Sequence, residues 1–298
     1  MKRFQIKAKD GYPLSVHTFD VETPKAVVQI IHGMEEHQER YEDFAHFLNK
    51  HGYSVVSSDL RGHGKTAETL GFFKEKNGSI SLLSDQIKIR HFISKQYPDT
   101  PVYLFAHSMG TIISRVLLQS QSLKYKKAAL SGYPNYQRMA YFGLLCTSVL
   151  QALHGPKYKS SFVQNASVGS FNKAIPNAST DIDWICNNQE TINSYSSDSY
   201  CGFGFTVSAF HDVYRLMIQM HQPAAYQNLN SDMPILLLRG LGDPCTGGQK
   251  GALDSYRILL KAGFTQLKTI EYPNMRHEIL NEAEHQKVYD DILAFFEP

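Results

Sequence analysis

The chain is poor in cysteine, with four in 298 residues (Cys146, Cys186, Cys201, Cys245), and none of them is paired in a CxxC spacing. A chain of this size needs no disulfide staples, and sparse thiols suit a reducing compartment. Net charge is also nearly absent, since 30 Lys and Arg face 28 Asp and Glu. A strongly basic nucleic-acid surface is therefore not expected. No run approaches the roughly 18–20 apolar residues of a membrane helix. The longest stretch, Tyr141 to Leu153, is interrupted by Thr147, Ser148 and Gln151. Met1 to Gly11 carries basic residues without a following apolar run, so a signal peptide is not expected and the cytosol is the expected location. Internal repeats and low-complexity tracts are lacking too.

What is present reads as alternating strands and helices. Phe4–Ala8 and Leu14–Phe19 alternate apolar and polar residues around the Asp10-Gly11 turn, which predicts a hairpin. Ala26–Ile31, Val102–Phe105 and Ile235–Leu238 are almost wholly apolar, as strands buried on both faces are. Tyr53–Val56, Lys127–Leu130 and Leu267–Tyr272 complete the strand set. Helical spacing follows most of them, at Phe44 to Leu48, Ile87 to Ile93, Ile112 to Leu117, Tyr256 to Leu260 and Val288 to Phe296. This rhythm predicts an α/β fold, a mostly parallel sheet with helices on both faces.

Tyr133 to Asn230 breaks the rhythm. Ten of these 98 residues are charged, against 19% of the whole chain, and 15 are aromatic. Helical pieces such as Val207–Met220 occur, but no buried strand does. The chain is thus expected to divide into a core, residues 1–132 and 231–298, and an insertion, residues 133–230. The insertion's composition suits the lining of an uncharged or amphiphilic ligand site; it also suits a small helical core of its own.

Ala106-His107-Ser108-Met109-Gly110 lies between a buried strand and a helix. A small-x-Ser-x-Gly turn there exposes the serine at the carboxyl edge of the sheet and at a helix N-terminus, the place of a nucleophile elbow. The plain alternative is a helix N-cap. A serine hydroxyl needs a base to take its proton and an acid to orient that base. Asp243 follows the Ile235–Leu238 strand, where a loop points into the crevice at the sheet's carboxyl edge; a Gly-Asp-Pro turn is its other reading. Of the two histidines after Asp243, His277 lies in a loop beyond the last strand. His285 falls in the final helix, whose start is expected at Asn281 with Glu284. Ser108, Asp243 and His277 then stand in the chain order of a hydrolase triad. By position, the backbone N–H groups of Met109 and Met34 would receive the oxyanion, with Gly33 allowing close approach. His32 and His37, with Glu35 and Glu36, raise a metal alternative, but their spacing is not the i,i+4 pair of zinc hydrolases, and no metal or cofactor is expected. Asp59 and Arg61, in a second polar loop, read as ties between loops.

The stretches His32–His37 with Arg40-Tyr41, Asp59–Gly64, Ala106–Gly110, Gly242–Pro244 and Arg276–Glu282 together resemble the α/β-hydrolases of the monoacylglycerol lipase and lysophospholipase type, grouped with serine aminopeptidase-like hydrolases. Ala106 departs from the glycine usual there. The resemblance implies the α/β-hydrolase fold, an eight-stranded sheet with a helical cap inserted after the sixth strand. It implies the triad Ser108, Asp243 and His277 and the oxyanion donors Met34 and Met109. His32, Gly33, Glu36, His37, Arg40, His107 and Gly110 would shape the site. The implied activity is hydrolysis of carboxylic esters through an acyl-enzyme, with a small-molecule ester or lipid substrate, of which monoacylglycerol or lysophospholipid comes first. A transient contact with a membrane surface stays open, as does the oligomeric state. An aminopeptidase or amidase would instead need an acid for the substrate amine, drawn from Asp181, Asp183, Glu190, Asp198 or Asp212. A hydrolase-fold protein that binds a ligand without turnover is the third reading.

Overall fold

A computed structural model of the chain describes residues 1–297. Eight strands form one sheet in the order β1-β2-β4-β3-β5-β6-β7-β8. They are β1 Lys2–Lys7, β2 Pro13–Phe19, β3 Ala26–Ile31, β4 Tyr53–Ser58, β5 Val102–His107, β6 Lys127–Ser131, β7 Ile235–Gly240 and β8 Leu267–Tyr272. β1 and β2 form the antiparallel hairpin, and β2 also runs antiparallel to β4. Every other pairing is parallel.

The continuous apolar runs follow from burial on both sheet faces. Successive side chains of a strand point to opposite faces. Val27 and Ile31 join one core cluster, with α2 Gly78–Gln96, α3 Met109–Gln121 and α8 Gly248–Ala262. Val28 and Ile30 join the other, with α1 Glu42–Lys50 and α9 His285–Phe296. The one polar residue of β3, Gln29, is fully buried and satisfied by Gln86 and by the Tyr125 hydroxyl. A buried amide of this kind is tolerated only when it is hydrogen-bonded.

Between β6 and β7 the chain leaves the sheet for α4 Ala140–His154, α5 Ser161–Gln164, α6 Gln189–Ser197 and α7 Val207–Met220. α7 turns Phe210, Val213 and Leu216 into the sheet's first core cluster. α4 lies outside it, with only Ala140 and Thr147 buried. The result is a row of exposed apolar residues along α4.

One element starts later than the sequence suggests. Ile279–Asn281 is a single 3-10 turn, and the last helix begins at His285. The intervening residues are occupied by the insertion instead. The Glu282 carboxylate accepts the N–H groups of Asn187 and Arg276, and the Asn281 carbonyl accepts the Thr191 hydroxyl.

Candidate active site

β5 delivers the chain to Ser108 and α3 leaves it, so the serine occupies a one-residue corner. Its backbone is left-handed (φ 52°, ψ −121°), a conformation unfavourable for a residue with a Cβ. Such an outlier persists only where the surroundings enforce it. A Cβ on Gly110 would come within 2.2 Å of the Ile31 carbonyl oxygen, so α3 packs against the end of β3 only with glycine there. Ala106, fully buried in β5, fits its single methyl group into the core.

The loops after β7 and β8 reach the same corner. His277 Nε2 lies 2.8 Å from Ser108 Oγ, and His277 Nδ1 lies 2.9 Å from Asp243 Oδ2. Asp243 is held in turn by the Cys245 N–H, which donates to its other oxygen at 2.8 Å. Both His277 and Asp243 are 2% exposed. Burial disfavours the imidazolium, but the charge and hydrogen bond of Asp243 outweigh it, helped by Glu278 and Glu36, and His277 is raised above its ordinary value. Such a relay can draw the proton from the hydroxyl and hold it on the imidazole.

Facing Ser108 is the Gly33–Glu36 turn. A Cβ on Gly33 would stand 3.0 Å from the Ser108 Cβ, so the loop can approach this closely only with glycine. The Gly33 N–H donates to Glu36 Oε1 at 2.5 Å, and the Tyr41 hydroxyl donates to the same oxygen. Arg40 bridges Glu36 and Glu278, gripping the latter through two hydrogen bonds of 2.6 and 2.7 Å. Burial opposes ionisation of Glu36, yet Arg40, His107, His32 and the Gly33 N–H together hold its carboxylate below the usual range. Among the described residues, neither the Met34 nor the Met109 N–H has a hydrogen-bond acceptor. Both residues line the cavity above Ser108.

The remaining sequence-derived positions separate. His32 is buried and neutral; its Nδ1–H donates to the Gly33 carbonyl and its Nε2 accepts the Leu60 N–H. His37 pairs with Asp198 of the insertion at 2.8 Å. The two imidazoles thus serve different partners and do not converge on one metal position. The His107 ring lies 4.8 Å from the His277 ring, and burial, with the nearby His277 charge, lowers His107 to about 4. Asp59 accepts the Gln38 N–H, and Arg61 pairs with Asp85 and Asp10, so both tie loops together.

Above the corner opens a cavity of about 790 Å³. Met34, Ser108 and His277 floor it, and Phe142, Phe162, Phe171, Trp184 and Met217 of the insertion line it. Sequence reasoning missed Trp184, whose ring packs on His277, and Glu278, Tyr195 and Gln164. Trp184 had one faint signal, as the only tryptophan in the chain and in its charge-poor segment. Of the five insertion acids considered for an amine site, only Asp181 lines the cavity.

A family model described as serine aminopeptidase, S33, matches residues 22–284. The chain belongs to this family. Its relatives include a mouse protein named monoglyceride lipase, 27% identical over 267 residues that make up 87% of this chain and 77% of that protein. A monoacylglycerol lipase of Mycolicibacterium smegmatis is 23% identical over 276 residues, 91% of this chain and 88% of that protein. Among solved structures, a thermostable carboxyl esterase of Bacillus coagulans in complex with glycerol superposes with a TM-score of 0.90 at 24% identity, covering 99% of this chain and 97% of that one. That likeness establishes the α/β-hydrolase fold for this S33 chain.

Proposed function

We propose that this protein is a serine ester hydrolase of monoacylglycerol type, and that Ser108, His277 and Asp243 carry the reaction. The single observation behind this reading is the unbroken line of contacts from Ser108 Oγ through the His277 ring to Asp243, 2.8 and 2.9 Å, at the floor of an apolar cavity. Ser108 attacks the ester carbonyl as His277 takes its proton. Asp243 keeps the ring in the tautomer that presents Nε2 and stabilises the imidazolium. The developing oxyanion rests on the Met34 and Met109 N–H groups, which are free to receive it. His277 returns the proton to the leaving alcohol and then activates water to release the acid.

In this reading residues 133–230 form a cap, and its aromatic lining holds an acyl chain. The relatives named as monoglyceride lipases support a monoacylglycerol over other esters. The peptidase reading is disfavoured because four of its five candidate acids, Asp183, Glu190, Asp198 and Asp212, are not among the residues that line the cavity. No helix among the described residues is long and apolar enough to cross a membrane. On α4, however, Tyr141, Leu145, Val149 and Leu153 recur every four residues and are between 50% and 71% exposed. Phe142 and Cys146 of the same helix line the cavity. That arrangement supports a transient contact with a lipid surface, from which substrate would enter. The four unpaired cysteines support a reducing compartment such as the cytosol.

The test is a panel of monoacylglycerols and p-nitrophenyl esters of increasing chain length, set beside aminoacyl anilides. Ester turnover with covalent labelling of Ser108 by a fluorophosphonate is expected. Anilide turnover without ester turnover, or a folded protein that resists labelling, would overturn the reading.

A further inference from the structure

Two adjacent glutamates in the turn facing Ser108 are held from opposite sides. Glu36 belongs to the core, through Gly33, Arg40 and Tyr41. Glu35 belongs to the insertion. Its carboxylate accepts Gln164 Nε2 at 2.8 Å. Its carbonyl oxygen accepts both the Tyr195 hydroxyl at 2.9 Å and the Gly202 N–H at 3.0 Å. Glu35 is 6% exposed, and its backbone is left-handed with φ 56°, a conformation that sterically disfavours any residue carrying a Cβ. A glycine would adopt it freely. A glutamate stays there because partners on α5, on α6 and in the following loop hold its side chain and its carbonyl at once.

Met34 sits between Gly33, whose N–H is held by Glu36, and Glu35, which is held by the insertion. The Met34 N–H lies in the Gly33–Met34 peptide, one peptide before those that flank Glu35. With Gly33 held by Glu36, a rotation at Glu35 displaces the Met34 carbonyl and is taken up by the Met34 torsions, which turns that N–H. We infer that Glu35 is a positioning residue through which Gln164, Tyr195 and Gly202 of the insertion set the direction of the Met34 N–H toward Ser108. Seating of the insertion on Glu35 and completion of the oxyanion site are then one event. A lipid that draws these segments off Glu35 releases the turn toward the conformations a Cβ prefers, and turnover falls. This rests on the proposed ester hydrolysis and on Met34 as an oxyanion donor.

The test compares the full-length protein with Gln164→Ala, Tyr195→Phe and Glu35→Ala, the last keeping a Cβ but losing the carboxylate, measuring kcat and KM on a short p-nitrophenyl ester and the melting temperature of each. Two inhibitors of equal chain length separate positioning from pocket shape. An acyl trifluoromethyl ketone adds to Ser108 and places an oxyanion in the site; a fatty alcohol does not. The expected result is a fall in kcat of about tenfold, part of the hundredfold or more that full loss of an oxyanion donor costs. KM and the alcohol's Ki stay within about twofold, and the ketone's Ki rises in step with the loss of kcat. Gln164 is half-buried at the edge of the insertion, so Gln164→Ala is expected to fold whatever becomes of the other two. Unchanged kcat in folded Gln164→Ala and Glu35→Ala overturns the inference. So does equal weakening of both inhibitors, which assigns these residues to pocket shape. A wild-type protein that neither hydrolyses the ester nor forms the ketone adduct overturns the hydrolase reading itself, and this inference with it.

Discussion

The indole of Trp184 packs on the imidazole of His277, with centroids 4.8 Å apart and planes tilted by 40°. The insertion therefore reaches the proposed base directly and shields one face of it from water. Because the chain holds a single tryptophan, its fluorescence is a one-site probe of that imidazole. A protonated imidazole quenches an adjacent indole. Trp184 emission is expected to fall as pH drops through the titration of His277, and fluorescence titration against a His277→Gln control checks it. A titration unchanged in that variant refutes it.

The same titration governs activity. His277 acts as a base only when neutral, and Asp243 raises it above the ordinary histidine value. The acid limb of kcat/KM is thus expected above pH 6.5, with activity lost as pH falls through it. Asp243→Asn removes the carboxylate that raises the ring, so any residual activity should show its acid limb at lower pH. The same change presents the wrong tautomer to Ser108 and should cost about 10⁴ in kcat. Steady-state pH profiles read both effects.

Ser108→Ala should abolish ester turnover and fluorophosphonate labelling while leaving the fold intact, because among the described residues the hydroxyl's only side-chain partner is His277. Circular dichroism beside the esterase assay decides it. Wild-type rates in this variant would remove Ser108 from the mechanism.

The row along α4 predicts lipid binding separable from chemistry. Leu145→Glu with Leu153→Glu puts two charges on the exposed face, and neither residue lines the cavity. Co-sedimentation with phospholipid vesicles should weaken by about tenfold or more, since each buried leucine contributes on the order of 1.5–3 kcal/mol at full burial. Turnover of a water-soluble short ester should not change.

Arg61 and Asp85 form an ion pair in which each side chain is at most 3% exposed. Asp85→Ala leaves Arg61 buried with only Asp10, whose side chain is 33% exposed, as a carboxylate partner among the described residues. A loss of about 3–5 kcal/mol in urea unfolding is expected. Retained stability would mean that water reaches the guanidinium.

The fold was largely legible because its signals are periodic. Runs such as Ala26–Ile31 and Ile235–Leu238 are continuous because both faces of the sheet are covered, and α7 spans the predicted Val207–Met220 because it has one core face. At the site, the small-x-Ser-x-Gly turn marked Ser108, and loop position after a strand together with chain order selected Asp243 and His277, which the loops after β5, β7 and β8 bring within 2.9 Å of their neighbours. Trp184, Gln164 and Tyr195 carried no such signal. Trp184 lies in residues 165–188, which run through short 3-10 and π turns with no repeating face, while Gln164 ends the four-residue α5 and Tyr195 lies in α6; what all three touch depends on the whole path of the insertion. Asn281 misled for a related reason: it resembles a helix start, but its carbonyl and the Glu282 carboxylate are bound to the insertion.

Those bonds extend further. Arg276 reaches the Asp183 and Cys186 carbonyls, and the Glu278 N–H donates to the Ile185 carbonyl at 2.7 Å, on either side of His277. The 182–188 strip and the histidine loop are therefore one mechanical part built from two distant stretches of chain. A chimera that exchanges the insertion for that of another hydrolase must carry residues 276–282 with it, or it will arrive with its imidazole unmoored.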